Sequence, residues 1–168
     1  MSISKVILKP GKEQSLQRFH PWVFSGAIKR IEGSPEEGEV VEVYGADLQY
    51  LGIGHYHSGS ISVRILSFKK VDIDAAFWRS KLQDALNHRE SLGLYPNVNT
   101  NTFRLTHGEG DNLPGLIIDI YGDTAVMQCH SVGMYLSRHL IAEQLIDVFS
   151  GYIKSVYDKS SGTLPMRE

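Results

Sequence analysis

Ile61-Ser62-Val63-Arg64-Ile65 alternates strictly, setting Ile61, Val63 and Ile65 on one face of an extended chain and Ser62 and Arg64 on the other. Such a period belongs to a strand with one buried face, and its neighbours extend the pattern. Upstream, Gln49 to Gly54 forms a second apolar run, separated by the turn formers Gly45-Ala46-Asp47 from a third, Val40 to Tyr44. The polar loop Glu32 to Glu39 lies before that, and Val6-Ile7-Leu8 opens the series. Residues 3–69 therefore read as a small sheet or barrel. Between the first two strands, His20-Pro21-Trp22-Val23-Phe24 is expected to form a short helical turn, because proline suits the first helical position.

Beyond residue 70 the period changes. Trp78, Leu82, Ala85, Leu86 and Leu92 recur at helical spacing over residues 74–92, with Asp72 or Asp74 as N-cap and Gly93 as the stop. This helix and the polar stretch Tyr95 to Thr102 are expected to link two domains. A second unit follows: a short strand Phe103 to Thr106, then a hairpin of Gly115–Tyr121 and Thr124–His130 turning at Gly122-Asp123. Ser131 caps another helix with Leu136, Leu140, Ile141, Leu145, Val148 and Phe149 as its stripe; Gly151 closes it, and Tyr152 to Tyr157 is a last strand.

The 168 residues, 42% hydrophobic and 21% charged, suffice for a packed core. No run approaches the roughly 20 apolar residues that span a bilayer, and the N-terminus lacks a secretory signal, so a soluble, cytoplasmic protein without a membrane partner is expected. A single cysteine, Cys129, excludes an intramolecular disulfide. The net charge of −2 gives no global case for nucleic acid, although residues 1–70 hold nine Lys/Arg against seven Asp/Glu and the remainder eight against twelve. Local clustering has to carry any such case.

The sharpest cluster is Arg18-Phe19-His20-Pro21-Trp22-Val23-Phe24-Ser25-Gly26-Ala27-Ile28-Lys29-Arg30, where aromatic rings and cations interleave beside the expected helical turn. Cations there can neutralise phosphate and a ring can stack a base. The plainer reading makes Trp22, Val23 and Phe24 an apolar plug and leaves Arg18, Lys29 and Arg30 open between RNA contact and solvated surface. His55 and His57, two apart on a strand, are too few to hold a metal and read as partly exposed histidines; no metal is expected. In Thr106 to Gly115, His107, Glu109 and Asp111 offer acid–base groups, but the glycines and Pro114 argue first for a shaped turn. Cys129 reads as a core residue. No strand, glycine-rich turn and helix occur in the order a nucleotide-type cofactor requires, since Gly52-Ile53-Gly54 leads into another strand.

Three stretches together resemble the RlmI-like methyltransferases that modify cytosine in large-subunit (23S) ribosomal RNA. Val6 to Lys12 through His20 to Ile28 looks like the opening of that family's PUA domain; Gly52 to Tyr56 with Ser60 to Leu66 is similar to its end; Gly108 to Asp119 is close to the loop and strand of its central domain. The resemblance implies an α+β chain: a PUA-like β pseudo-barrel at residues 1–69, a linker helix and loop at 70–99, and a central α+β domain at 100–158 with an antiparallel sheet and a packed helix. A tail at 159–168 then leads toward a catalytic domain not present. It implies ribosomal RNA as partner, with a homodimer left open, and S-adenosylmethionine as the cofactor of the full-length parent, none being expected on this chain. No catalytic residue carries over, because the family's cofactor loops and catalytic cysteine belong to the missing region and Cys129 does not match it. This chain alone is thus expected to be inactive. Lys12, Arg18, His20, Lys29, Arg30 and Arg64 are the RNA-contact candidates, and a stand-alone, noncatalytic PUA-type accessory protein is the alternative.

Overall fold

In a computed structural model, residues 3–164 are described, and the chain divides into two units, residues 1–72 and 73–168. The first and last residues of the expected PUA-like and tail segments, 1–2 and 165–168, lie outside the described residues.

The first unit contains β1 (Ser4–Leu8), α1 (Gln14–Gln17), β2 (Trp22–Phe24), β3 (Ile28–Glu32), β4 (Val40–Tyr44), β5 (Tyr50–Tyr56) and β6 (Ile61–Ser67). Its six strands run in the order β2-β6-β5-β4-β1-β3, antiparallel except for the parallel pair β1 and β4. Only the turn Ser25–Ala27 separates β2 from β3, yet these are the two outermost strands. The sheet must therefore curl until its ends meet. Hydrogen bonds clasp the joint: Ser25 N–H donates to Ser60 O at 2.9 Å and Lys9 N–H to Ala27 O at 2.9 Å. Val6, Leu8, Val23, Val41, Val43 and Val63 fill the inside with Leu16 of α1, all at most 2% exposed. Each such side chain contributes about 1.5–3 kcal/mol by leaving water. Gly54 sits where β5 presses on β6: a Cβ there would lie 2.1 Å from Arg64 O.

The helical turn expected at His20–Phe24 is instead strand β2, and the helix lies earlier, at Gln14–Gln17. Pairing decides this. Val23 is 1% exposed and sits opposite Val63, and Pro21 O accepts from Ile65 N–H at 2.7 Å. Pro21, which has no N–H to give, is tolerated because β2 is an edge strand. Ser62, expected on the solvent side, is buried and donates its hydroxyl to Gly59 O at 2.9 Å.

The second unit contains α2 (Ala75–Ser91), β7 (Thr102–His107), β8 (Leu116–Tyr121), β9 (Thr124–Cys129), α3 (Val132–Val148) and β10 (Ser155–Asp158). Asp74 caps α2 by accepting from Phe77 N–H at 2.9 Å, and the Ser131 hydroxyl accepts from Met134 N–H to cap α3. The sheet order is β10-β9-β8-β7, with Tyr121 opposite Thr124 across the expected turn. Leu116, Ile118 and Ile120 alternate inward on β8, as do Ala125, Met127 and Cys129 on β9.

Three features differ from expectation. α2 belongs to the second unit rather than to a linker: Arg79 donates to Gln144 of α3 at 3.1 Å and pairs with Asp147, while Trp78, Leu82 and Leu86 are buried. The sheet is not wholly antiparallel, because α3 carries the chain across and β10 returns parallel to β9. Leu136, counted in the α3 stripe, is 60% exposed; Met134, Ile141 and Leu145 are the large apolar side chains of that helix that are buried.

Candidate nucleic-acid interface

Antiparallel pairing sets Trp22, Arg64 and His55 side by side across β2, β6 and β5, so the three side chains share one face of the curled sheet. The flanking row, Val23, Val63 and Tyr56, faces the core. His20 stands just before β2 with its Nδ1 accepting from Trp22 N–H at 3.2 Å, and its ring meets the Trp22 ring edge-on at 5.6 Å between centroids. Phe24 completes the group, 6.2 Å from Trp22 and 6.4 Å from His20. Val23 alone of the expected apolar plug is buried; Trp22 is half-buried and Phe24 is 49% exposed.

Positive charge beside Trp22 comes from Arg64, while farther along the same face β4 carries the buried Glu42. Burial, reinforced by the Arg64 guanidinium beside it, pushes the His55 imidazole down to about 4, so His55 is neutral near pH 7. Of the two histidines expected to be partly exposed, His55 is therefore buried, while His57 is partly exposed. His57 occupies a different environment, with Nδ1 2.6 Å from Glu37 Oε2. Burial alone would raise the Glu37 carboxyl, but hydrogen bonds from Ser58 and His57 outweigh it and hold the group below its usual range. Among the described residues no cluster of three His, Cys, Asp or Glu is arranged to hold a metal ion.

The structure brings together only part of the candidate set. His20 and Arg64 converge on Trp22, and Arg18 precedes them as an exposed residue at the end of α1. Lys12 is exposed in the turn leading into α1. Lys29 and Arg30 lie on β3, at the other end of the strand order. Lys29 is exposed, whereas Arg30 is engaged by Glu32 two residues on, at 3.0 and 2.8 Å. The exposed rings of Phe19 and Phe24 flank the group, and neither was singled out in the sequence as a surface ring. Interleaving of apolar and polar residues marks a strand edge equally well, so exposure is the signal that separates them.

The other candidates serve structure. Asp111 Oδ2 accepts from His107 N–H at 2.6 Å and from Arg89 at 2.7 Å, which pins the Gly108–Asp111 turn. Arg104 grips Asp119 with two bonds, 2.7 and 3.0 Å, and lies 3.2 Å from His107 Nδ1. Cys129 is fully buried; burial first of all raises its thiol to about 11.

Residues 6–68 match the PUA-like domain family. The chain is 37% identical to ribosomal RNA large subunit methyltransferase I of Vibrio vulnificus (strain CMCP6) over 97% of its own length and 40% of that protein's. Against the Shewanella denitrificans protein of the same name the figures are 39% identity, 93% and 39%. The chain thus spans about two fifths of the length of these relatives. Among solved structures, "A putative sam-dependent methyltransferase from Streptococcus mutans" superposes with a TM-score of 0.76 at 20% identity, covering 94% of this chain and 41% of that one. A second solved structure, described as "a putative methyltransferase complexed with SAH", gives 0.77 at 20%, over 99% and 43%. Both carry the fold alone. A PUA-like domain thus occupies residues 6–68, and similarity to these ribosomal RNA methyltransferases extends along nearly the whole chain.

Proposed function

We propose that the first unit binds 23S ribosomal RNA in the cytoplasm and that the second positions a methyltransferase domain of the parent protein for transfer to carbon five of a cytosine. The observation that carries this reading is the face formed by His20, Trp22, Phe24 and Arg64 on a PUA-like unit, with exposed Arg18 at its border. Rings and a guanidinium on one edge suit unstacked bases and phosphate together.

S-adenosylmethionine finds no cradle among the described residues. The one parallel pair of the second unit, β9 and β10, is connected through α3, and the turn from β9 into that helix, His130-Ser131, has no glycine and uses Ser131 itself to take the Met134 N–H.

The test is binding of the chain to 23S ribosomal RNA across a salt series. Affinity should fall linearly in log–log coordinates, and replacing Arg18 by alanine should flatten the slope by about 0.7, the contribution of one single-strand phosphate contact. Absence of binding at low salt would refute the reading.

A further inference from the structure

We propose that Phe19 is a base-stacking residue, so that the first unit takes an unpaired nucleotide of single-stranded RNA on the Phe19 ring. The inference rests on the RNA-binding reading above and names the nucleic acid that the site selects.

His20 N–H donates to Ser15 O at 2.9 Å and Phe19 N–H to Leu16 O at 2.9 Å, the two bonds of a Schellman termination at the end of α1. Such a motif needs its penultimate residue in the left-handed region, and Phe19 is there, at φ 62°. Glycine adopts that conformation without penalty; a bulky aromatic residue rarely does. The same bond pair closes the other two helices, and there the left-handed residues are small: Gly93 at φ 70° after α2 and Ser150 at φ 51° after α3. Only α1 places a large ring on that corner.

Burial does not explain the choice. Phe19 is 72% exposed, its one ring contact among the described residues being Phe68, edge-to-face at 5.3 Å between centroids. Backbone strain that a fold retains without a packing return points to a task outside the fold. The surroundings indicate which one. Arg18 and His20 flank Phe19 in the chain, and Phe68 is followed by exposed Lys69 and Lys70, the latter shared with Glu42 at 3.5 Å. A ring held out on a rigid corner among cations fits a base on its face with phosphates alongside. A duplex, whose bases are already stacked, has no use for it.

Phe19→Gly makes the test clean, because it removes the ring while giving the corner its preferred residue. The full chain is titrated with a fluorescein-labelled single-stranded RNA oligonucleotide and with the same sequence as a duplex, alongside thermal unfolding and sedimentation. Support would be a melting temperature unchanged or raised, single-strand affinity lowered about 10-fold or more, duplex affinity little changed, and recovery in Phe19→Trp. Wild-type RNA binding that Phe19→Gly leaves intact would overturn this inference and spare the RNA-binding reading. Loss of self-association without loss of RNA affinity would also overturn it, assigning the ring to a protein contact. No binding of either RNA by the wild type at low salt would overturn both.

Discussion

Arg89 Nη2 lies 2.7 Å from Asp111 Oδ2, with the two side chains 10% and 7% exposed, and so ties α2 to the turn after β7. Neither charge has an idle face: Arg89 Nε also donates to Arg104 O at 2.8 Å, and Asp111 also accepts from His107 N–H. Removing one partner leaves the other charge buried alone. Arg89→Ala should therefore lower stability by about 3–5 kcal/mol in urea unfolding, while Arg89→Met combined with Asp111→Leu should lose much less. Equal losses in the single and double variants would show that the loss comes from the pair's own contacts and not from a stranded charge.

Two glycine substitutions should separate sharply. A Cβ at Gly54 would meet Arg64 O at 2.1 Å, whereas at Gly26 it meets nothing within 4 Å. Gly54→Ala should cost at least about 2 kcal/mol, since the β5–β6 ladder must part to admit the methyl group. Gly26→Ala should stay within about 0.5 kcal/mol of the wild type, by the same denaturation measurement.

His55 makes stability pH-dependent. Its folded value is about 4, below the ordinary 6.5, so between these limits the unfolded chain holds a proton that the folded chain refuses. Stability should be flat above about pH 6.5, fall as the pH drops toward 4, and lose roughly 3 kcal/mol across that window. Glu37, held low, adds its own loss only at the acid end. The His55→Gln variant, compared with the wild type at each pH, isolates the histidine: the difference between their stabilities should itself vary with pH over this window, and a constant difference would contradict it.

Cys129 should be chemically silent in the folded chain. With its thiol near 11 and its side chain enclosed, about one molecule in a thousand carries a thiolate at pH 8. Labelling by an aromatic disulfide reagent should proceed no faster than unfolding, and be immediate in concentrated urea. Fast labelling under native conditions would place the thiol at the surface.

What the sequence made legible was local. The alternation of β6, the run of β4, the Gly122-Asp123 hairpin and the Asp74 and Ser131 caps each follow from a few adjacent residues. What escaped it was non-local. β2 became a strand because Val23 meets Val63 across the sheet, and nothing within His20–Phe24 encodes that partner. β10 runs parallel because α3 intervenes, a matter of connection rather than composition. The site divides in the same way: the cations and rings of residues 18–30 were visible as a run, but the convergence of His20, Trp22 and Arg64 depends on register. The burial of His55 was hidden likewise, and so was its neighbour Arg64, which only the β5–β6 pairing sets beside it.

The joint at Ser25–Ala27 has a consequence for how the protein is made. Because β2 and β3 leave that joint toward opposite ends of the ladder, β2 has no hydrogen-bonded neighbour until β6, the last strand of the unit, has been synthesised. Before then, β1, β3, β4 and β5 can assemble only an open sheet, with Val23 and its row exposed. The first unit should accordingly emerge from the ribosome unfinished and close in one late, cooperative step, at the moment its residues 61–67 clear the exit tunnel.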